Sequence, residues 1–277
     1  MNMPPAIPNE NPAPTVASST SENPWAGLAI DFLIAIAVLI GTVVGGMVAW
    51  GFYKAMQAGM QNPGMAANPD AMTKAIGAPN DALMMIISSI GMALAALSVY
   101  YFRRRATPEE RRVSKAAAAQ PRTWIEAIGL GLALCIASMA LTWGLEKLGH
   151  VPNPTNLKML EAAMAYSPAL LVLLAVVMAP AFEELLFRRG FFGRFWAAKK
   201  PMTGMIASSV LFAFAHEVPG TSDSPIAMTL VLLLFYTGMG ACLAWIYRRT
   251  GTLWAPIATH ATNNLVAVVV MIAGYAG

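Results

Sequence analysis

The stretch Met178-Ala-Pro-Ala-Phe-Glu-Glu-Leu-Leu-Phe-Arg-Arg-Gly190 closes a long apolar run, 167–179. A run of that kind is membrane-helix material, yet two adjacent carboxylates, Glu183 and Glu184, follow where such a helix is still partly inside lipid. An ionised side chain near a bilayer centre costs at least ~2.5–3.5 kcal/mol on insertion scales, so the pair calls for a reason. On a helix Glu184 and Arg188 lie four residues apart and share a face, whereas Glu183 points about 100° away. Glu184 therefore has a counter-ion within its own helix, and Glu183 has none in the equivalent position.

Working outward, the whole chain has the same character. Of 277 residues, 57% are hydrophobic and 12% charged, against roughly 25% charged in soluble domains. This composition predicts an all-α polytopic bundle in a lipid bilayer. The net charge of +4 is spread over short segments between apolar runs. It does not gather into the basic face of a folded soluble domain that nucleic-acid binding requires, so nucleic acid is excluded as a partner. Cys135 and Cys242 both fall inside apolar runs and read as packing residues without a disulfide framework. Residues 1–24 contain no Lys or Arg, so the positive region of an ordinary signal peptide is missing. Their Pro, Asn, Ser and Ala content predicts a disordered tail.

A transmembrane helix needs about 20 apolar residues. By that measure about seven spans are expected, near 26–52, 81–102, 123–145, 166–188, 202–216, 225–247 and 252–275. The fourth leaves open a continuation through 191–196. Residues 53–80 and 103–122 read as loops, and 146–165 as a loop with a short helix at 156–165. Gly41 and Gly45 form a G-x-x-x-G pair that permits close helix approach, more often plain packing than a dimer face. Three regions follow: a tail, 1–24; a two-span region with a basic loop, 25–122; and a helical bundle, 123–277. Fourteen basic residues load the segments after the second, fourth and sixth spans, and four load the others. By the positive-inside rule this predicts a multi-pass protein with its N-terminus in the cytoplasm and Asp223 outside; the plasma membrane of a bacterium is the expected location.

Three spans carry polar groups that an inert bundle avoids. The fourth has Glu183, Glu184 and Arg188, the fifth ends in Phe212-Ala-Phe-Ala-His216, and the seventh holds His260-Ala-Thr-Asn-Asn264. His260 and Asn264 are four apart and project from one face. A carboxylate, two imidazoles and an amide can together activate water and hold an oxyanion. Each member alone has a plainer reading: Glu184–Arg188 as a structural lock, a single His as a structural residue, Asn264 as glue between helices. The third histidine, His150, falls in a predicted outer loop and is assigned no function. Depth raises one difficulty. Counted from Met202, His216 lies about 21 Å along its helix, while His260 lies about 12 Å from Thr252. The two meet only if the fifth helix starts later and the 197–204 connection dips into the membrane.

The ordered set resembles the CPBP intramembrane proteases, which include the type II CAAX prenyl endopeptidases and bacterial Abi-type proteins. The motif E-E-x-x-x-R stands at Glu183–Arg188, F-x-x-x-H at Phe212–His216 and H-x-x-x-N at His260–Asn264, over roughly residues 123–275. The resemblance implies an endopeptidase acting on a membrane-associated protein or peptide. In it Glu183 is the general base on water with His216 assisting, His260 and Asn264 stabilise the oxyanion, and Glu184 and Arg188 position the site. No cofactor is favoured. Zn²⁺ held by Glu183, His216 and His260 is the alternative, although no H-E-x-x-H occurs. Two other functions stay open: a catalytically silent immunity or partner-binding protein of the same fold, and a transporter with a proton relay. The transporter reading predicts broken helices in both halves of the chain.

Overall fold

Backbone inside lipid must satisfy its own N–H and C=O groups, and this chain does so with helices alone. The computed structural model describes residues 23–64, 68–150, 153–221 and 224–275, and no strand occurs among the described residues. In chain order the helices are α1 (Pro24–Gln61), α2 (Pro69–Ile76), α3 (Asp81–Arg103), α4 (Pro108–Ala118), α5 (Pro121–Lys147), α6 (Leu157–Tyr166), α7 (Pro168–Ala197), α8 (Pro201–His216), α9 (Ile226–Thr250) and α10 (Trp254–Tyr275). Six of these, α1, α3, α5, α7, α9 and α10, are long and apolar enough to cross a membrane. The other expected span, α8, has 16 residues, a length of about 24 Å. Large apolar side chains such as Phe102, Ile125 and Leu234 are more than two-thirds exposed, as a lipid-facing surface requires.

Several expectations change. The 53–80 loop is largely helical, because α1 runs on to Gln61 and α2 follows it. Residues 53–61 are mostly good helix formers, and the pair Asn62-Pro63 ends them. The 103–122 loop holds α4, started by a capping box in which Thr107 and Glu110 satisfy each other's backbone N–H groups. Gly41 and Gly45 face open space, and close approach of α1 and α3 occurs instead at Gly46 on Ile87 and at Gly91 on Leu39. The expected tail lies outside the described residues as far as residue 22, and so does Asp223.

The fourth span continues without a break to Ala197, but it is not a uniform α-helix. It widens to i→i+5 bonding over Val172–Met178 and again over Leu185–Phe192. Pro180 supplies a cause for the first widening. It has no N–H, and its ring clashes with the carbonyl one turn back; a π segment just before it, where Ala179 N–H bonds Leu174 O, relieves that clash. Among the described residues no other helix carries such a segment, so the paired broken helices of a transporter are not seen. The second widening sends Phe187, Phe191 and Phe195 into the main core, with Phe212, Leu243, Val99 and Leu134 from neighbouring helices.

The long α7 also brings Glu183 to the depth of His216. Glu183 lies about 21 Å along the helix from Ala197, and His216 about 22 Å from Pro201. The helices run back to back from the 198–200 turn, so the two residues meet without a late start to α8. Gly204 makes this possible, since a Cβ there would run into Phe195.

Candidate active site

Five of the six expected site residues converge where α7, α8 and α10 meet. Glu184, Arg188 and His260 are buried, with side-chain exposures of 0%, 0% and 2%. Glu183 and His216 are slightly open, at 14% and 16%. Helix geometry explains the division, because Glu184 and Arg188 share one face of α7 and Glu183 lies off it.

The buried half is a cluster of Arg188, Glu184 and His260. Arg188 Nε lies 2.8 Å from Glu184 Oε2, and His260 Nδ1 lies 3.0 Å from Glu184 Oε1. The Arg188 ion pair is close in distance, yet Nε and Nη1 make no well-directed hydrogen bond among the described residues. Nη2 donates to Glu184 Oε1 at 3.4 Å, and the guanidinium lies over the Phe212 ring, 4.7 Å from its centroid, a favourable cation–π arrangement.

The open half is built by Phe212 and His216, one turn apart on α8. His216 Nδ1 donates to the Phe212 carbonyl oxygen at 2.9 Å. A carbonyl only accepts, so this contact places a proton on Nδ1 and turns Nε2 inward, 3.4 Å from Glu183 Oε2. The Phe212 ring stacks on His216 with centroids 4.2 Å apart and meets His260 edge-on at 5.8 Å.

Ligand atoms of Glu183, His216 and His260 all lie within 4.8 Å of one another. Each histidine has its Nδ1 engaged by a carbonyl or carboxylate, which is how ligating histidines are commonly held. The donor set therefore fits a divalent metal in kind. Zn–ligand bonds of about 2.0–2.1 Å need the three atoms drawn closer than this. The same three groups also fit a water molecule.

Asn264 stands one turn beyond His260, but its amide is partly committed. Nδ2 donates to Ala175 O at 2.8 Å, and Oδ1 accepts from Asn263 Nδ2 at 3.1 Å. One amide N–H remains available. Ala175 lies in the first π segment of α7, so that segment helps to orient Asn264.

Two further residues border the site. Tyr236 of α9 stacks on His216 with centroids 4.9 Å apart; nothing in an apolar span marks one aromatic residue out from its neighbours. Glu217, fully buried beside His216, accepts from Thr155 N at 3.0 Å and Thr155 Oγ1 at 2.9 Å. This clasp ties the segment before α6 to the end of α8. An acidic residue directly after His216 was its only sequence signal.

The family model described as type II CAAX prenyl endopeptidase Rce1-like matches residues 165–266. The protein named "Putative membrane peptidase YdiL" of Bacillus subtilis (strain 168) is 29% identical over 103 residues, which is 37% of this chain and 38% of that relative. The chain thus spans well under half the length of the curated relative it matches. No solved structure matches the chain. Residues 165–266, the part that carries Glu183, His216, His260 and Asn264, are thus similar to the type II CAAX prenyl endopeptidase Rce1-like family model.

Proposed function

We propose that the chain is an intramembrane endopeptidase that hydrolyses a peptide bond of a membrane-associated protein. The observation that carries this reading is the unequal setting of the two glutamates. Glu184 is closed off by Arg188 and His260, while Glu183 Oε2 has no hydrogen-bond partner among the described residues and faces His216 Nε2. A water held between Glu183 and His216 gives up a proton to Glu183 as its oxygen attacks the scissile carbonyl carbon. The carbonyl oxygen takes the negative charge. His260, with Nδ1 held by Glu184, presents Nε2 to that oxygen as a hydrogen-bond donor. The free amide N–H of Asn264 is the second donor. When the carbon–nitrogen bond breaks, the proton taken from water passes to the leaving amine, giving a carboxylic acid and an amine. Nothing in this reading requires a prenyl group on the substrate.

The test is turnover of a panel of membrane peptides by purified wild type and Glu183→Gln. Cleavage by the wild type and its loss in the variant are expected; equal cleavage by both overturns the assignment. Chelation separates the two chemistries of the Glu183–His216–His260 set. Activity is expected to survive exhaustive chelation. Loss on chelation with recovery on added Zn²⁺ would make the three residues ligands.

A further inference from the structure

A cavity of about 600 Å³ lies against α7 and shares no lining residue with the candidate active site. Its size is in the range of small-ligand pockets. Phe182 and Leu185 of α7, with Leu253 just before α10 and Ile257 in its first turn, make its apolar floor. Its roof is α4, held down by Ser114 on Thr252 at 2.8 Å and by Glu110 on Arg189 Nη2 at 2.8 Å.

The charge at the mouth is unbalanced. Its two carboxylates are taken, Glu110 by Arg189 and Glu109 by Arg112. Arg111 and Lys115 also line the cavity. They are four residues apart on one face of α4, and neither pairs with a carboxylate among the described residues. Beneath α4, Arg104 is buried with Nε and Nη2 lacking hydrogen-bond partners among the described residues. Burial, then the nearby charges of Arg189 and Arg194, push its pKa down to about 10. Its carbonyl accepts from Arg189 Nε at 3.0 Å, and Arg189 lines the cavity.

An apolar floor under a cationic roof, at the end of the bundle where the basic segments gather, has the polarity of an amphiphile standing in a leaflet. A free anion gains nothing from the floor, and a neutral lipid gains nothing from Arg111 and Lys115. We propose that this cavity binds one anionic phospholipid, with its phosphate on Arg111 and Lys115 and an acyl chain against Phe182, Leu185 and Ile257. Basic pockets at helix ends are a recurrent form of headgroup recognition.

The experiment uses the full chain in nanodiscs of phosphatidylcholine with or without phosphatidylglycerol of matched chains, and counts retained lipids by native mass spectrometry. Wild type is expected to retain one phosphatidylglycerol in preference to phosphatidylcholine. The exposed double variant Arg111→Gln/Lys115→Gln is expected to weaken that retention roughly 25-fold, from the usual contribution of a basic residue near a membrane surface. Ile257→Trp, which fills the floor and leaves the cations in place, is expected to abolish it. Equal retention of the two lipids by wild type, or unchanged retention in the double variant, overturns the proposal. Displacement of phosphatidylglycerol by inorganic phosphate alone also overturns it, by making the site one for a free anion.

Discussion

Glu184 Oε1 is held by His260 and Oε2 lies against Arg188, whereas its neighbour Glu183 faces His216 Nε2 at 3.4 Å. Their substitutions should therefore fail differently. Glu183→Gln keeps shape and removes the base, and loss of a general base typically lowers rate by ~10²–10⁴. Turnover should collapse while the detergent-solubilised Tm stays near wild type. Glu184→Gln leaves Arg188 buried without its carboxylate, and breaking such a pair typically removes ~3–5 kcal/mol. Its Tm should fall along with its activity. A stable, inactive Glu184→Gln beside an active Glu183→Gln would exchange the two roles. At this scale the sequence was readable where partners lie on one helix: the spacing of Glu184 and Arg188 predicts their pairing. It was unreadable where partners lie far apart in the chain. Nothing local tells that His260 Nδ1 spends its proton on Glu184, or that Asn264 binds Ala175 O, because those contacts exist only once α7 and α10 have packed.

At the scale of elements, α7 and α4 were the two least legible. The apolar run and Pro180 predict a helix that is interrupted, but not that a π segment absorbs the interruption and keeps it continuous. Pro180→Ala restores a backbone donor and lets the regular i→i+4 ladder re-form, which turns the carboxylates relative to Ala175 and Asn264. Helix content should be unchanged and turnover should fall on the order of 10²-fold, the usual effect of misplacing reacting groups by about 1 Å. Circular dichroism and turnover together check it, and unaltered turnover would separate the π segment from the site. The helix α4 lacks apolar periodicity, so its basic residues read as a loop, although its Thr107-x-x-Glu110 cap stood in the sequence. Burial pushes the Glu110 carboxyl up, but its hydrogen bonds and charge contact with Arg189 and its bonds to Thr107 outweigh this and hold it below the ordinary 4.5. A depressed carboxylate stabilises the fold in full above its unfolded value and loses that contribution as pH falls through its folded value. The Tm gap between wild type and Glu110→Gln should thus be largest near neutral pH and shrink below pH 4.5. A gap that stays constant into strong acid would show that the Glu110 charge contributes nothing.

For the whole molecule, the segments rich in Arg and Lys gather at one end. Arg189 binds Glu110 and the Arg104 carbonyl, Arg194 and Arg103 bind the buried Asp31 of α1, and Arg249 binds Glu126. The alternation of basic and non-basic segments was fully legible, and the positive-inside rule predicts from it that this end is cytoplasmic. Cysteine substitutions at Arg105 and Arg248 should be labelled from the cytoplasmic side and one at Asp223 from the other. The reverse pattern would invert the molecule.

The brevity of α8 has a consequence for the lipid itself. At about 24 Å it falls short of a hydrocarbon layer of about 30 Å, and its last residue is His216. Hydrophobic mismatch of this sign is relieved by local thinning of the bilayer, and a dip of the surface on the side of Glu217, toward Glu183 and His216, is the expected outcome. Under the proposed function, that dip is the expected route of water to Glu183 and His216. Acyl-chain length becomes a control on rate: reconstitution in progressively thicker bilayers should slow cleavage while the solubilised protein keeps its full activity.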